Sequence, residues 1–222
     1  MSSFSQVLAW LTDLSNWSGT TGIPIRIGQH LAISALAILL ASLIALPVGI
    51  AIGHTRRGAG LIAGAAGAAR AIPTLGLLTL FGLGIGIGMT APLLALVVLA
   101  IPSLLAGTYA GIGSVTPAVV DAARGVGMRE RQVIWRVEIP LAAPVIIGGI
   151  RAATLQVIAT ATLAAYISDQ GLGRFLFAGL KTRDYSQMIG GAILVIALAL
   201  LAEAVLALIQ SLTKTYVAHT RA

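Results

Sequence analysis

Long apolar segments separated by short polar loops dominate this sequence. Five of them contain enough apolar residues to cross a hydrocarbon core, which takes about 20 residues in a helix. They lie at about residues 29–52, within 61–87, at 91–111, at 141–167 and at 186–212. None shows the two-residue alternation of a membrane β-strand, and lipid leaves a spanning chain only helices or a closed barrel. The pattern therefore predicts an all-α integral membrane protein, a bundle of about five transmembrane helices.

The composition supports the same class. Of the 222 residues, 58% are hydrophobic and only 9% are charged, and the mean hydropathy is +0.98. A soluble domain usually has about 25% charged residues, so this chain has too little polar surface to cover a water-soluble globule. The chain has no cysteine, which excludes disulfides and cysteine-based metal sites.

The distribution of lysine and arginine between the loops predicts the orientation in the membrane. The net charge is +7, and the basic residues lie mainly in short loops, which favours a role in membrane orientation over nucleic-acid binding. One side carries eight of them, namely Arg56, Arg57, Arg124, Arg129, Arg131, Arg136, Lys214 and Arg221. The other side carries four, namely Arg26, Arg174, Lys181 and Arg183. Because cytoplasmic loops are richer in Lys and Arg, we expect the first side inside, with the N-terminus outside and the C-terminus inside.

Three regions follow from these assignments. Residues 1–27 are expected to form an N-terminal extracytoplasmic segment, residues 28–213 the transmembrane domain and residues 214–222 a cytoplasmic tail. Within the first region, residues 5–14 have the pattern of a short amphipathic helix on the membrane surface.

The loop between the third and fourth spans is far more polar than its flanks. Thr116-Pro117 is a good helix start, because Thr can cap a helix and Pro suits its first position. Asp121 and Arg124 then lie three residues apart on one helix face. Gly125 and Gly127 interrupt the helix and permit a turn.

A second short helix is predicted at about residues 129–136, with Pro140 marking the entry to the next span. The two short helices and their turn would form a compact structure on the cytoplasmic face. A cleft on a soluble partner could hold it, so that partner movement tilts the third and fourth spans. The alternative is an ordinary charged loop at the membrane surface.

The same loop resembles the signature of ATP-binding-cassette (ABC) importer permeases. That signature is Glu-Ala-Ala, a Gly four residues after the last Ala, nine further residues, and Ile-x-Leu-Pro. Here Asp121-Ala122-Ala123, Gly127 and Val137-Glu138-Ile139-Pro140 match it at the same spacing, with conservative replacements. The resemblance implies the type I importer permease fold, with a cytoplasmic coupling helix that docks on an ATPase subunit. The residues it assigns to coupling are Asp121, Ala122, Ala123, Arg124, Gly127, Arg131 and Pro140.

The resemblance extends over about residues 29–212. Three stretches are similar to the osmoprotectant branch, whose members carry glycine betaine, carnitine or choline. They are residues 71–75, 108–111, and 161–166 together with 171–173. These motifs are less specific than the loop, since permeases for methionine or sulfonates share parts of them. The resemblance therefore implies a permease for a small compatible solute, with an amino acid or a sulfonate as the alternative.

The resemblance also implies the partners. Two permease subunits, identical or siblings, assemble with two ATPases in the bacterial inner membrane, and an external binding protein delivers the solute. The chain has no GxxxxGK[ST] phosphate loop, so a partner must hydrolyse the ATP, and we expect no cofactor on this chain. Few aromatic residues fall within the spans, so solute selection is expected to rest with the external partner.

Ionisable residues within spans are functional candidates, because placing them in lipid is costly. Arg151 and Glu203 are expected at a similar depth, about 15 Å from the cytoplasmic ends of the fourth and fifth spans. We therefore hypothesise that they form an ion pair that holds these spans together. The alternatives are that Arg151 extends to the interface or that Glu203 faces a water-filled cavity.

Polar and helix-bending residues in other spans are candidates for the pathway. Arg70 precedes Pro73, which is expected to kink the second span and act as a gate or simply as a packing kink. Gln156, Thr160 and Thr162 could line the pathway or could form hydrogen bonds between helices.

Two other function classes are less consistent with the sequence. An intramembrane enzyme would need paired carboxylates, an activated nucleophile or a histidine metal site. The chain instead has scattered histidines without HExxH spacing, and we expect neither a catalytic nor a metal site. A stand-alone channel or secondary transporter would not need the coupling loop, and it would work without ATP.

Overall fold

The computed structural model describes residues 3–58, 60, 62, 64, 67 and 71–219, with side chains between residues 4 and 213. The elements of this described part are helical. They are α1 (Ser3–Thr12), a 3₁₀ turn (Leu14–Trp17), α2 (Ile23–Thr55), α3 (Thr74–Ile85), α4 (Thr90–Gly113), α5 (Pro117–Gly125), α6 (Glu130–Val133), a π-helical turn (Ile134–Glu138), α7 (Ile139–Ala164), α8 (Gly173–Thr182) and α9 (Tyr185–His219).

Four of the five expected spans are present as long apolar helices. Within the described residues these are α2, α4, the continuous run Glu130–Ala164, and Tyr185–Thr213 of α9. The second expected span lies partly outside the described residues, as does Arg70. Its described part includes α3, an apolar helix of 12 residues. The all-α membrane architecture is therefore confirmed.

Pro73 breaks the helix where the sequence predicted a kink. Ala71 is helical, but Ile72 is not, and Pro73 has extended backbone angles (φ −68°, ψ 113°) directly before α3. Proline has no N–H to donate, and it disfavours the helical conformation of the residue before it. A new helix can still begin immediately after Pro73, because its own angles suit a helix N-terminus.

The predicted short helix at residues 129–136 is not separate from the fourth span. It continues through the π turn into α7, and Pro140 lies inside this run. In the π turn the Ile139 N–H donates to the Ile134 carbonyl, five residues back. The wider turn lies directly before a proline that cannot donate and whose ring would crowd the carbonyl four residues earlier. The helix therefore passes Pro140 without ending.

The chain divides into two compact units. The first unit comprises Met1–Leu39, Ile72–Val98 and Thr154–Ala202, and the second comprises Leu40–Ala71, Leu99–Ala153 and Glu203–Ala222.

The core of the first unit includes the N-terminal helix. Ile23, Ile158 and Leu172 are at most 1% exposed there. Trp10 of α1 packs edge-on against Phe175, with ring centroids 5.2 Å apart. The helix expected at residues 5–14 is thus present as α1, and it packs on protein as well as presenting apolar side chains outward.

The second unit is held together by glycines that bring helix backbones into contact. A Cβ on Gly107 of α4 would lie 2.6 Å from the Cα of Gly149 on α7. On α2, a Cβ at Gly49 would lie 2.7 Å from Cβ of Thr108. Small residues at four-residue spacing allow such close approach. In lipid, the van der Waals contacts that result stabilise helix packing, because the hydrophobic effect does not act between the helices. The many glycines of the sequence therefore have specific packing roles here.

Replacing Gly107 with alanine is expected to destabilise the second unit by about 1–3 kcal/mol, the usual cost of forcing extra volume into a packed core. The added methyl group has no space beside Gly149, so α4 and α7 must separate. The effect is measured as a lower thermal unfolding midpoint of the detergent-solubilised protein.

Gly113→Ala is the matched control, because it lies on the same helix and its new Cβ would meet no atom within 4 Å. Equal unfolding midpoints for the two variants would contradict the close backbone contact.

Candidate functional site

The segment formed by α5, the following turn and α6 (residues 117–133, the α5–α6 segment) has one buried and one exposed apolar face. Val120 and Ala123 are buried in a core that also contains Ile112, Val133 and Ala142. On an adjoining face, Val119 is 41% exposed and Val126 78% exposed, with Ala122 exposed between them. The segment is therefore anchored from beneath and presents an apolar ridge outward.

Gly127 forms the turn that the sequence predicted. Its φ is +85°, in the left-handed region that glycine adopts without strain. Its N–H donates to the Arg124 carbonyl at 2.9 Å, and the Met128 N–H donates to the Ala123 carbonyl at 3.2 Å. This pair of bonds is the Schellman motif, which closes the C-terminus of α5. A Cβ at Gly127 would meet no atom within 4 Å, so this position faces open space.

Thr116 caps α5 differently from the prediction. Its side chain makes no capping hydrogen bond. The N–H groups of Val119 and Val120 instead donate to its backbone carbonyl, at 3.0 and 3.4 Å. With the Val119 N–H already bonded, the hydroxyl loses one of its usual partners. Pro117 occupies the first helical turn, as expected.

Ion pairs fasten the two short helices to each other. Arg124 donates to both carboxylate oxygens of Glu130, at 2.9 and 3.1 Å, and to Asp121 at 3.3 Å. Hydrogen bonding to Glu130 raises the pKa of the Arg124 guanidinium, which stays charged. The bidentate geometry fixes the angle between α5 and α6 more firmly than a single contact would. The expected Asp121–Arg124 pair is therefore part of a larger network.

His54, at the end of α2, holds the α5–α6 segment in place, and the sequence pattern did not predict this role. Its Nδ1 lies 2.6 Å from Oε2 of the buried Glu138, and its Nε2 lies 3.0 Å from Oε2 of Glu130. Carboxylates accept hydrogen bonds, so both contacts form together when both ring nitrogens carry protons. Arg56 adds a bond to the Val115 carbonyl at 3.1 Å. The end of α2 is thus tied to both ends of the α5–α6 segment.

Several of these groups line a cavity of about 510 Å³. Its lining includes His54, Arg56, Arg57, Asp121, Arg124 and Glu138. The remaining two predicted coupling residues lie on the α6–α7 run. Arg131 is exposed beside the exposed Trp135, whereas Pro140 is half-buried within the helix.

Arg151 and Glu203 form the ion pair that their similar depth suggested. The Arg151 Nε lies 3.3 Å from Oε2 of Glu203, and a second, shorter contact joins Nη2 to Oε1. Gln210, seven residues further along α9, also accepts from Arg151, and its amide donates to the Pro144 carbonyl at 2.6 Å. Gly148 leaves space for this amide. Gln210 was not among the predicted residues, although its position two helical turns after Glu203 places it on the same helix face.

The polar residues considered for the pathway lie on one stretch of α7. Gln156 is exposed, and Thr160 and Thr162 are half-buried. The Thr162 hydroxyl donates to the Ala159 carbonyl of its own helix at 2.7 Å. The Thr162 hydroxyl therefore uses its proton within α7.

A polar face near the start of α2 fixes a loop in the first unit. The Gly171 N–H donates to Oε1 of Gln29 at 3.0 Å. The Leu172 N–H donates to Nδ1 of the buried His30, whose Nε2 donates to the Ile158 carbonyl at 2.9 Å. The sequence carried a signal for this face, because positions 26, 29 and 30 are polar at helical spacing in an apolar segment.

Removing one partner of the intramembrane pair, as Arg151→Leu or Glu203→Leu, is expected to lower thermal stability, because a charge then stays in the span unpaired. The double variant is expected to recover most of the loss, since replacing both partners with apolar residues is often neutral or stabilising. Thermal unfolding in detergent measures both effects. A double variant less stable than either single variant would contradict a mainly structural pair.

Comparison with known proteins identifies the family. Residues 37–215 match the family described as binding-protein-dependent transport system inner membrane component. The glycine betaine/carnitine/choline transport system permease protein OpuCB of Bacillus subtilis is 36% identical over 185 residues, covering 83% of this chain and 85% of that protein. The osmoprotectant import permease protein OsmW of Salmonella typhimurium is 36% identical over 180 residues, covering 79% and 84%.

Two solved structures show the same fold. The methionine ABC transporter MetNI in an inward-facing conformation matches with a TM-score of 0.73 at 19% identity, over 93% of this chain and 97% of that one. An amino acid ABC transporter crystallised with histidines matches with a TM-score of 0.66 at 19% identity, over 95% and 98%. The chain therefore belongs to the family of inner membrane components of binding-protein-dependent transport systems, and it is a membrane transport subunit rather than an enzyme.

Proposed function

We propose that this chain is the permease of an ATP-driven importer for a small quaternary-amine solute of the glycine betaine, choline or carnitine class. The support for the solute class is the identity of 36% with permeases named for these solutes, over about four fifths of the chain. A methionine-like amino acid or a sulfonate is the alternative solute.

The observation that carries the coupling mechanism is the exposed apolar ridge of Val119, Ala122 and Val126. An apolar ridge on an otherwise charged segment favours burial against another protein. The proposed partner that covers this ridge is a cytoplasmic ATPase subunit. That subunit would bind the ATP, since this chain has no GxxxxGK[ST] phosphate-binding loop. The shape of the ridge is stabilised by Ala123 in the core beside it, by the ion pairs of Asp121 and Arg124, and by the turn at Gly127.

The α5–α6 segment is suited to transmit force because no flexible linker separates it from the membrane. Its last helix continues through the π turn into α7. Its charged residues are bonded to each other and to the end of α2 through His54. If the ATPase displaces the segment, α7 and the bonded end of α2 would therefore move with it without unwinding.

The orientation proposed from the sequence is consistent with this role. The segment carries Arg124, Arg129 and Arg131, and Arg136 follows it, so the positive-inside rule assigns it to the cytoplasm. The N-terminus is then outside, where an external binding protein would deliver the solute, and the C-terminus is inside.

The exposed face of α7 is the proposed contribution to the pathway. Gln156 is exposed on a helix that spans the membrane, and polar residues in such helices usually face protein or a water-filled pathway. A second permease subunit, identical or a sibling, and a polar pathway between the two would cover this face. Thr160 and Thr162 lie on the same stretch, and Pro73 is the proposed gate residue.

Gly127→Val is expected to reduce solute uptake at least tenfold while membrane insertion and ATP hydrolysis continue. A β-branched residue does not tolerate a φ of +85°, so the turn must change shape. Uptake and hydrolysis are measured together in proteoliposomes that contain the complete transporter. Gly127→Asn is the matched control, because Asn adopts the left-handed region readily, and it should retain most of the uptake. Unchanged uptake by the valine variant would contradict the coupling role.

The complete transporter is expected to take up radiolabelled glycine betaine, choline or carnitine in proteoliposomes only when ATP is supplied inside. Methionine and a sulfonate such as taurine serve as the comparison solutes. Faster uptake of either comparison solute would overturn the proposed solute class. Equal uptake without ATP would instead favour a channel or a secondary transporter.

A further inference from the structure

The first unit contains a polar cavity that the coupling mechanism does not use. It has a volume of about 340 Å³ and lies beside the start of α2. A cavity of this size is at the small end of the range for ligand sites, which suits a small solute rather than a large one. Its polar lining includes Asn16, Ser18, Thr21, Arg26, Asp169 and Arg174.

Arg26 lines this cavity with one edge of its guanidinium group unused. The side chain is only 6% exposed. Its Nη1 donates to Oε1 of Gln29 at 3.2 Å and to the Asp169 backbone carbonyl. Its Nε is buried and has no hydrogen-bond partner, and its Nη2 lies 3.9 Å from Oδ2 of Asp169, beyond hydrogen-bond distance. The Nε–Nη2 edge is one of the two edges through which a guanidinium group binds carboxylates with two parallel hydrogen bonds.

The charges around the cavity do not balance. Arg26 and Arg174 contribute two positive charges, and Asp169 contributes one negative charge between them. Its Oδ1 lies 2.6 Å from Nε of Arg174, so this carboxylate pairs mainly with Arg174. Among the residues that line the cavity, one positive charge is therefore left over, mainly that of Arg26.

Two helix N-termini add to the positive potential. Thr21 and Gly22 directly precede α2, a helix of 33 residues, and Arg174 and Phe175 lie in the first turn of α8. The N-terminus of a helix carries a partial positive charge and favours anions. The free guanidinium edge, the uncompensated charge and the helix ends all favour the same kind of ligand.

We infer that this cavity binds the carboxylate of a small zwitterionic solute, with the guanidinium group of Arg26 as the main contact. The identification of the solute rests on the proposed function, in which glycine betaine and carnitine carry a carboxylate and choline does not. The cavity would then distinguish carboxylate-bearing solutes from choline within the permease itself.

The test measures direct binding of glycine betaine and choline to the complete permease–ATPase complex in nanodiscs, without the external binding protein. The wild-type complex is expected to bind glycine betaine at least tenfold more tightly than choline. Arg26→Lys keeps the charge but loses the planar guanidinium group, so glycine betaine binding should weaken at least tenfold while choline binding stays unchanged. Arg174→Gln, at a half-exposed position where folding is less at risk, should also weaken glycine betaine binding.

Asp169→Asn separates a binding role from a structural one, because it removes the carboxylate that competes with the ligand. Its backbone carbonyl can still accept from Arg26. Glycine betaine binding is expected to strengthen about threefold or more, a change opposite in sign to that of Arg26→Lys. If both variants weaken binding, or if the wild-type complex binds both solutes equally or not at all, the inference is wrong.

An acidic side chain of the external binding protein is the other possible source of a carboxylate. In that case Arg26→Lys would weaken association with the binding protein, the wild-type complex alone would bind no glycine betaine, and the inference would be overturned.

ATP-driven choline uptake is measured in parallel. If it persists while glycine betaine binding is absent, only the cavity assignment fails, and if all uptake is absent in the wild type, the proposed function fails.

Discussion

The absence of water from the hydrocarbon core is the constraint on which this structure depends. Every polar group within a span must find a partner inside the protein, and backbone groups do so by forming helices. Lipid tails are as apolar as leucine side chains, so the helices gain little from burying leucine against leucine and must fit by shape. The Gly107–Gly149 contact and the approach of Gly49 to Thr108 are the result. Many large apolar residues, such as Leu43 and Leu201, lie on the outer faces.

The same constraint explains the polar clusters. Arg151 is bonded to Glu203 and Gln210 within its unit, and His30 is bonded through both ring nitrogens in the other. Many polar residues of α2 lie near its two ends, at positions 26–30 and 54–55, and Arg56 directly follows the helix. Each group is bonded to a connecting segment far away in the sequence, residues 169–172 in one case and residues 115–138 in the other. These bonds add to the apolar packing of Leu172 in one segment and of Val120, Ala123 and Val133 in the other.

The sequence predicted the features that arise from local pattern. Apolar length predicted the spans, the Gly127 position predicted the turn, and the similar depth of Arg151 and Glu203 predicted their pairing. It could not predict contacts that depend on how helices are arranged. His54 and Glu138 are 84 residues apart, and neither position carries a periodic signal that relates it to the other. Pro73 and Pro140 show the same limit, because proline breaks the helix at one and is accommodated by a π turn at the other.

The π turn at residues 134–138 sets the rotational register between the α5–α6 segment and α7. A π turn behaves as one extra residue inserted into an α-helix, and each residue of an α-helix turns the chain by about 100°. Loss of a single residue here would let the helix close into regular α geometry. The ridge of Val119, Ala122 and Val126 would then point about a quarter of a turn away from its present direction. The five residues of the π turn, directly before α7, thus determine the direction in which the ridge faces.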